Sequence, residues 1–318
     1  MKCELQIRSY QSGDEVHILE LFRHSYGREL AEQAWAWRFR DNPAGPAVIE
    51  LAWDGNTLVA HYAVSLVVLR VNGNEWLTGL SGTTMTHPNY RGRGLFPLLA
   101  RRTYARMAAL NMPIVWGFPN RISHRGFARD LNWVDIWEVP TFRLSLRRDL
   151  PITTVRENVV ELEDFDERFT QLWERVKDDY QVIVKRDRRY LNWRYVQNPT
   201  ERYRILAYLD GEDLLGYAVL KRHKEELHVV DLLALRGTDI GEQLISRAAQ
   251  IALEDSVSAV SLWLNPTHPL HWALEILGFQ NEGPVTYFGG LVLCPDLVGT
   301  MVYDYRKWYL TMGDSDVY

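Results

Sequence analysis

THPNYRGRGLFPLLARRTYARM, residues 86–107, is the stretch on which the reading of this chain turns. A β-branched, alternating run ends at Thr86 and His87, Pro88 breaks it, and apolar residues at helical spacing resume at Leu95. The stretch therefore predicts a strand end, a short loop holding Arg91, Gly92, Arg93 and Gly94, and a helix. A helix start presents unpaired N–H groups and partial positive charge. Glycines let a ligand approach the backbone closely, and two arginines can pair with phosphate oxygens. The four loop residues alone read equally well as an exposed basic turn. Their place between a strand and a helix favours a pyrophosphate cradle.

Outward from this loop, the chain repeats itself. WRFRDNP at 37–43 is echoed by WRYVQNP at 193–199, and the echo continues through Ile49, Asp54, Gly55 and Leu58 against Ile205, Asp210, Gly211 and Leu214. Farther on, Arg91 and Gly92 face Arg236 and Gly237, and Asn120 in GFPN faces Asn265 in WLNP. The spacing between the copies drops from 156 to 145 on the way, as a shortened hairpin would produce. Two related domains are predicted, 1–148 and 149–318. The stretch SLRRDLPITTVRENVVELEDF between them reads as a linker plus the first strand of the second domain.

Each copy has the same coarse order. In the first, HILELFRHSYG and AEQAWAWRF have helical periodicity, and Asn42-Pro43 ends the second helix. Strands joined at Asp-Gly-Asn and Asn-Gly-Asn turns follow. A helix from Leu95, a strand PIVWGF and a helix containing FARDLNW complete the copy. The second copy runs RFTQLWERV, RILAYLDGEDLLGYAVLK, ELHVVDLLAL, IGEQLISRAAQIALE, AVSLWL and HWALEILGF. The predicted class is α/β (α+β): two tandem domains, each a mixed, largely antiparallel central sheet flanked by helices.

The bulk numbers narrow the function. With 318 residues, 47% hydrophobic and 24% charged, the chain has the balance of a globular protein with room for two cores. A net charge of −5 argues against a nucleic-acid partner. The clusters RRTYAR and KRDRR read as solvated helix faces. No apolar run is long enough for a bilayer, and the start MKCELQIRSYQSGDE lacks a signal-peptide core, so a cytoplasmic location without membrane association is expected. Cys3 and Cys294 show no metal or redox spacing and read as ordinary buried or half-buried thiols. His268 and His271 are too few for a metal, and none is expected.

The loop resembles the signature of the GNAT-type N-acetyltransferase superfamily, Val-x-Pro-x-x-Arg-Gly-x-Gly between a strand and a helix. Thr86, Pro88, Arg91, Gly92 and Gly94 match it, with Thr for Val. Phe96 stands where the strict form has a small residue, a departure shared by the tandem, Eis-like branch. The resemblance continues in GFPN and in Leu131-Asn132-Trp133, where the superfamily has Leu-Gly-Phe; the second copy keeps Leu277-Gly278-Phe279. It implies acetyl-CoA as cosubstrate, held by Met85, Thr86, His87, Arg91, Gly92, Arg93, Gly94, Leu95, Phe96 and Asn120. It also implies strands parting near His87 and Asn120 to admit the pantetheine arm, with backbone groups of Met85 to His87 pairing to it. In the second copy Thr238 and Asp239 replace Arg93 and Gly94, and a carboxylate there repels a phosphate. That copy is expected to bind no acetyl-CoA and, by similarity to tandem members, to wall one side of the acceptor pocket.

The implied activity is acetyl transfer to the amine of a small molecule, an amino sugar, aminoglycoside-like or amino-acid-like acceptor. The superfamily commonly takes a proton donor from a Tyr in the helix after Asn120, but Phe127 and Ala128 occupy the counted positions. His124, Ser123 and His87 are the candidate catalytic residues, because imidazole titrates near neutrality and a hydroxyl can relay a proton. Tyr90, Glu138 and Glu29 are further candidates. The missing Tyr keeps an acyl-CoA-binding sensor or scaffold without turnover as an alternative. The oligomeric state is left open.

Overall fold

The computed structural model describes residues 5–147 and 155–316, apart from the side chains at 283 and 284. Cys3, the predicted boundary at 148/149 and part of the predicted linker lie outside them. Cys294 is half-buried and unbridged.

The chain forms two compact units. The first comprises residues 1–69, 75–137 and 287–303; the second comprises 70–74, 138–286 and 304–318. Neither is a continuous stretch.

In the first unit, β1 (Gln6–Ser9), α1 (Glu15–Tyr26), α2 (Glu32–Phe39), β2 (Val48–Asp54), β3 (Thr57–Val71), β4 (Asn74–Thr86), α3 (Leu95–Ala109), β5 (Ile114–Gly117) and α4 (His124–Leu131) follow in order. Strands lie in chain order from β1 to β5. β1, β2 and β3 pair antiparallel, whereas β4 and β5 are parallel. Alternation along β2 covers both faces. Val48 and Ala52 meet Leu95, Leu99, Met107 and Phe127 of α3 and α4, while Ile49, Leu51 and Trp53 meet Ile18, Phe22, Trp35 and Phe39 of α1 and α2. Burial on both sides explains why β3 reads as an almost unbroken apolar run.

β6 (Val134–Ser145), β7 (Val159–Leu162), α5 (Glu167–Val176), β8 (Val182–Val184), α6 (Arg188–Leu191), β9 (Arg204–Asp210), β10 (Asp213–His223), β11 (Glu226–Ala234), α7 (Ile240–Glu254), β12 (Ala259–Leu262), α8 (Pro269–Ile276), β13 (Gln280–Val292), α9 (Pro295–Val298) and β14 (Trp308–Tyr309) follow. The second unit repeats the topology: β7, β9, β10 and β11 pair antiparallel and β11 pairs parallel with β12. The sixth strands are exchanged. The first unit ends on β13, antiparallel to β5; the second ends on β6, antiparallel to β12.

The paired asparagines of the repeat are turn formers. Asn42 donates to the Leu66 carbonyl at 2.9 Å and accepts from the Ala44 amide at 2.9 Å. Asn198 accepts from the amides of Thr200 and Glu201 at 3.0 and 3.2 Å. Both are buried. The preceding aromatics Phe39 and Tyr195 are buried as well, although residues 192–196 form a π-helical turn where the first copy has α-helix. One basic cluster departs from expectation. RRTYAR lies on α3 with its arginines exposed, but Arg186 of KRDRR is fully buried between Asp231 (3.0 Å) and Asp314 (2.8 Å).

Candidate active site

β4 and β5 pair only over Gly79–Ser81 and Val115–Gly117. β4 continues to Thr86 while β5 stops, so the strands part into a wedge. At its vertex a Cβ on Gly117 would come 3.0 Å from the Ser81 carbonyl. Beneath it, Ser81 Oγ, Tyr62 OH, Tyr104 OH and Trp133 Nε1 are linked at 2.9, 2.8 and 2.9 Å. Burial pushes both tyrosines up, so their hydroxyls stay protonated.

Just past the vertex, Thr83 has φ +53°, rare for a β-branched residue. Its carbonyl accepts a hydrogen bond from Nδ1 of the buried His61 at 2.9 Å. Burial pushes the His61 imidazole down to about 4, so it is neutral with its proton on Nδ1. The sequence analysis did not single out either residue; a lone histidine in an apolar strand was the available signal.

After β4, His87 caps a short 3₁₀ turn, Pro88–Tyr90, its Nδ1 accepting from the Asn89 amide at 3.3 Å. The His87 amide donates to the Val59 carbonyl at 2.9 Å, so it is turned toward β3. Since successive amides of a strand alternate in direction, the Thr86 amide points away from β3. Met85 is buried against α1 and α2, which leaves its side chain no ligand role.

In the loop, Gly92 and Gly94 have φ +75° and +74°, and a Cβ on either would meet nothing within 4 Å. The glycines serve the backbone conformation, and the surface above them is open. Leu98 N–H makes a helical bond to Gly94 at 3.2 Å, so the Leu95 and Phe96 amides precede the first bonded turn, and Pro97 has no amide. Arg91 donates to the Thr86 and Ser25 carbonyls at 3.4 and 3.5 Å; Arg93 donates to the Asn89 carbonyl at 3.1 Å and lies 4.6 Å over the Tyr90 ring. Neither is ion-paired among the described residues, so the loop keeps positive charge beside free amides. These features fit a pyrophosphate.

Leu95 is buried, so only its amide can serve a ligand. The Phe96 ring packs edge-on against Phe127, centroids 5.1 Å apart. Gly126 makes room for it: a Cβ there would come 3.2 Å from that ring. A small residue on α4 thus compensates for the large one on α3.

Past β5, Asn120 Oδ1 accepts from the amides of Ile122 and Ser123, both at 2.9 Å. Asn265 binds the Thr267 amide in the same way at 2.9 Å, so the repeat extends to this turn. Ser123 Oγ is committed to Asn120, at 3.2 Å from its Oδ1. His124 Nε2 lies 2.7 Å from Asp135, and its ring stacks on Tyr287 with centroids 4.0 Å apart. Asp135 and Tyr287 are partners the sequence analysis missed, the latter because it arrives on β13. Tyr90 donates to Asp54 at 2.5 Å, while Glu29 and Glu138 are exposed, Glu138 in the second unit.

Among the described residues no cluster could hold a metal ion, and no helix is long and apolar enough to cross a membrane.

Residues 6–134 match the family model of the acetyltransferase (GNAT) domain. No curated protein matches the sequence significantly. Among solved structures, a conserved protein of unknown function from Enterococcus faecalis, a probable N-acyltransferase, matches with TM-score 0.74 and 12% identity over 94% of this chain and 74% of that one. A GCN5-related N-acetyltransferase from Kribbella flavida matches with TM-score 0.65 and 17% identity over 91% and 71%. A tandem GNAT protein from the clavulanic acid biosynthesis pathway matches with TM-score 0.58 and 15% identity over 92% and 99%. At such identities the likeness is one of fold. Residues 6–134 thus match the acetyltransferase (GNAT) domain, and the chain shares its fold with these solved structures.

Proposed function

We propose that the protein is an N-acetyltransferase that moves an acetyl group from acetyl-CoA to the amine of a small molecule in the cytoplasm, the acceptor being an amino sugar, an aminoglycoside-like or an amino-acid-like compound. The observation that carries this reading is the loop from Arg91 to Gly94, open above two left-handed glycines and free of carboxylates. Acetyl-CoA supplies the activated thioester. Arg91, Arg93 and the amides up to Phe96 hold its phosphates, and the Thr86 amide and Asn120 Nδ2 pair with its pantetheine amides.

The amine must lose a proton as its nitrogen bonds to the acetyl carbon and the C–S bond breaks. We assign proton removal to His124. Asp135 accepts from Nε2–H, which leaves the Nδ1 lone pair as the base. Ser123 and Asn120 set the start of α4 that carries this ring. Calorimetry with acetyl-CoA tests the cradle, with weaker binding expected in Arg93→Glu; equal affinity in both proteins removes the cofactor assignment.

The buried Phe127, packed on Phe96 and Trp133 at a position where the superfamily commonly has a tyrosine, favours a second reading: an acyl-CoA sensor without turnover. Turnover assays with amino sugars, aminoglycosides and amino acids separate the two. Tight acetyl-CoA binding with no transfer to any of them supports the sensor.

A further inference from the structure

We infer that the second unit holds a site for the phosphate monoester of a small molecule, built from the remains of its own strand wedge. There, β11 and β12 pair over Glu226–Val229 and Ala259–Leu262, and β11 runs on to Ala234. This wedge is filled by the chain itself. Asn265 donates through Nδ2 to the Tyr305 and Trp308 carbonyls at 2.8 and 3.3 Å, and the Tyr309 hydroxyl donates to the Leu232 carbonyl. Residues 305–309 are thereby tied to both arms, where the first unit has Asn120 Nδ2 and an open strand edge.

The loop after β11 is altered to match. Arg236 and Gly237 are kept, the latter with φ +72°. Asp239 stands in place of Gly94, and Arg156 holds its carboxylate at 3.1 and 2.6 Å.

What remains is a cavity of about 300 Å³ whose walls include Tyr180, Arg236, Thr267, His268 and Lys307. A recess of about 140 Å³ shares the Tyr180, Arg236 and His268 walls and is faced by Leu232, Ala234 and Leu270. These volumes lie at the small end for ligand pockets.

The charges select the ligand. Arg306 also reaches the wall but is paired with Asp304 at 2.8 Å, and Asp179 is exposed. His268 accepts from the Leu270 amide at 3.2 Å, and burial pushes it down to about 4, so it is neutral. Arg236, lying 4.6 Å over the Tyr180 ring, makes no ion pair among the described residues, and Lys307 acts on Asp304 only at longer range, since Arg306 holds that carboxylate directly. Two cations without a direct carboxylate contact match a phosphate monoester, which carries about −1.5 to −2 at neutral pH, better than the single charge of a carboxylate. The recess, whose wall carries Thr238 and Glu242 beside Leu232, Ala234 and Leu270, receives the organic part.

The test is calorimetry of the full chain with inorganic phosphate, phenyl phosphate and acetate. Saturable binding is expected for both phosphates, tighter for phenyl phosphate, and none for acetate. Arg236→Glu and Lys307→Glu should each weaken phosphate binding at least tenfold while acetyl-CoA affinity is kept; Lys307→Gln serves as the milder variant if a charge reversal disturbs folding. Arg93→Glu, in the first unit's loop, should leave phenyl phosphate binding unchanged. Absence of saturable phosphate binding, binding indifferent to Arg236 and Lys307, equal binding of acetate, or loss in Arg93→Glu alone each overturns the assignment.

Discussion

The Nδ1 of His61 lies 2.9 Å from the carbonyl oxygen of Thr83, so a buried neutral imidazole holds the residue with positive φ at the mouth of the wedge. In the unfolded chain the same imidazole titrates near 6.5, against about 4 when folded. Between these values the unfolded state binds more protons, so stability falls as pH drops from 6.5 to 4 and is fully present above 6.5. The loss from this group reaches up to about 3 kcal/mol, at roughly 1.4 kcal/mol per tenfold of proton affinity. His228 and His268 are lowered in the same way. Urea unfolding at several pH values should show His61→Gln flattening this slope without abolishing it.

Gly94 begins α3 with φ +74° and open space around a would-be Cβ. Gly94→Ala therefore meets a conformational penalty and no clash, about 1–2 kcal/mol. Thermal unfolding should show that loss. An unchanged midpoint would mean that the loop readily adopts another conformation.

Reversing Arg93 removes a charge-assisted contact, worth about 1.5–3 kcal/mol. The dissociation constant for acetyl-CoA should rise roughly 10- to 100-fold in Arg93→Glu, with a smaller rise at high salt because screening weakens the wild-type attraction.

If His124 takes the amine proton, His124→Ala should lower kcat by about 10²–10⁴ while acetyl-CoA affinity is retained. Asp135→Asn should lower kcat less and displace its pH profile, since the ring keeps its place on Tyr287 but loses the carboxylate. An unaltered pH profile would assign Asp135 a purely structural part.

Arg186, Asp231 and Asp314 form a buried charge cluster joined by Thr311. Removing the cation leaves two carboxylates without their partner, so Arg186→Met should destabilise by about 3–5 kcal/mol in chemical unfolding. Asn42→Ala and Asn198→Ala should each cost about 1–3 kcal/mol by orphaning turn amides, with acetyl-CoA affinity unchanged.

The sequence by itself determined the local elements and the loop. Helical periodicity marks α3 and α7, Asp-Gly and Asn-Gly mark the hairpins, and Arg-Gly-Arg-Gly marks the loop between strand and helix, because each depends on residues within a few positions of one another. Only the tertiary structure decided which strands complete each sheet, since β6 and β13 are exchanged and their partners lie far away in the chain. It also decided that Arg186 is buried, through carboxylates 45 and 128 positions distant, and that His124 meets a ring carried on β13. Periodicity is a property of neighbours along the chain, whereas burial of a charge and orientation of a base depend on what long-range folding brings beside them.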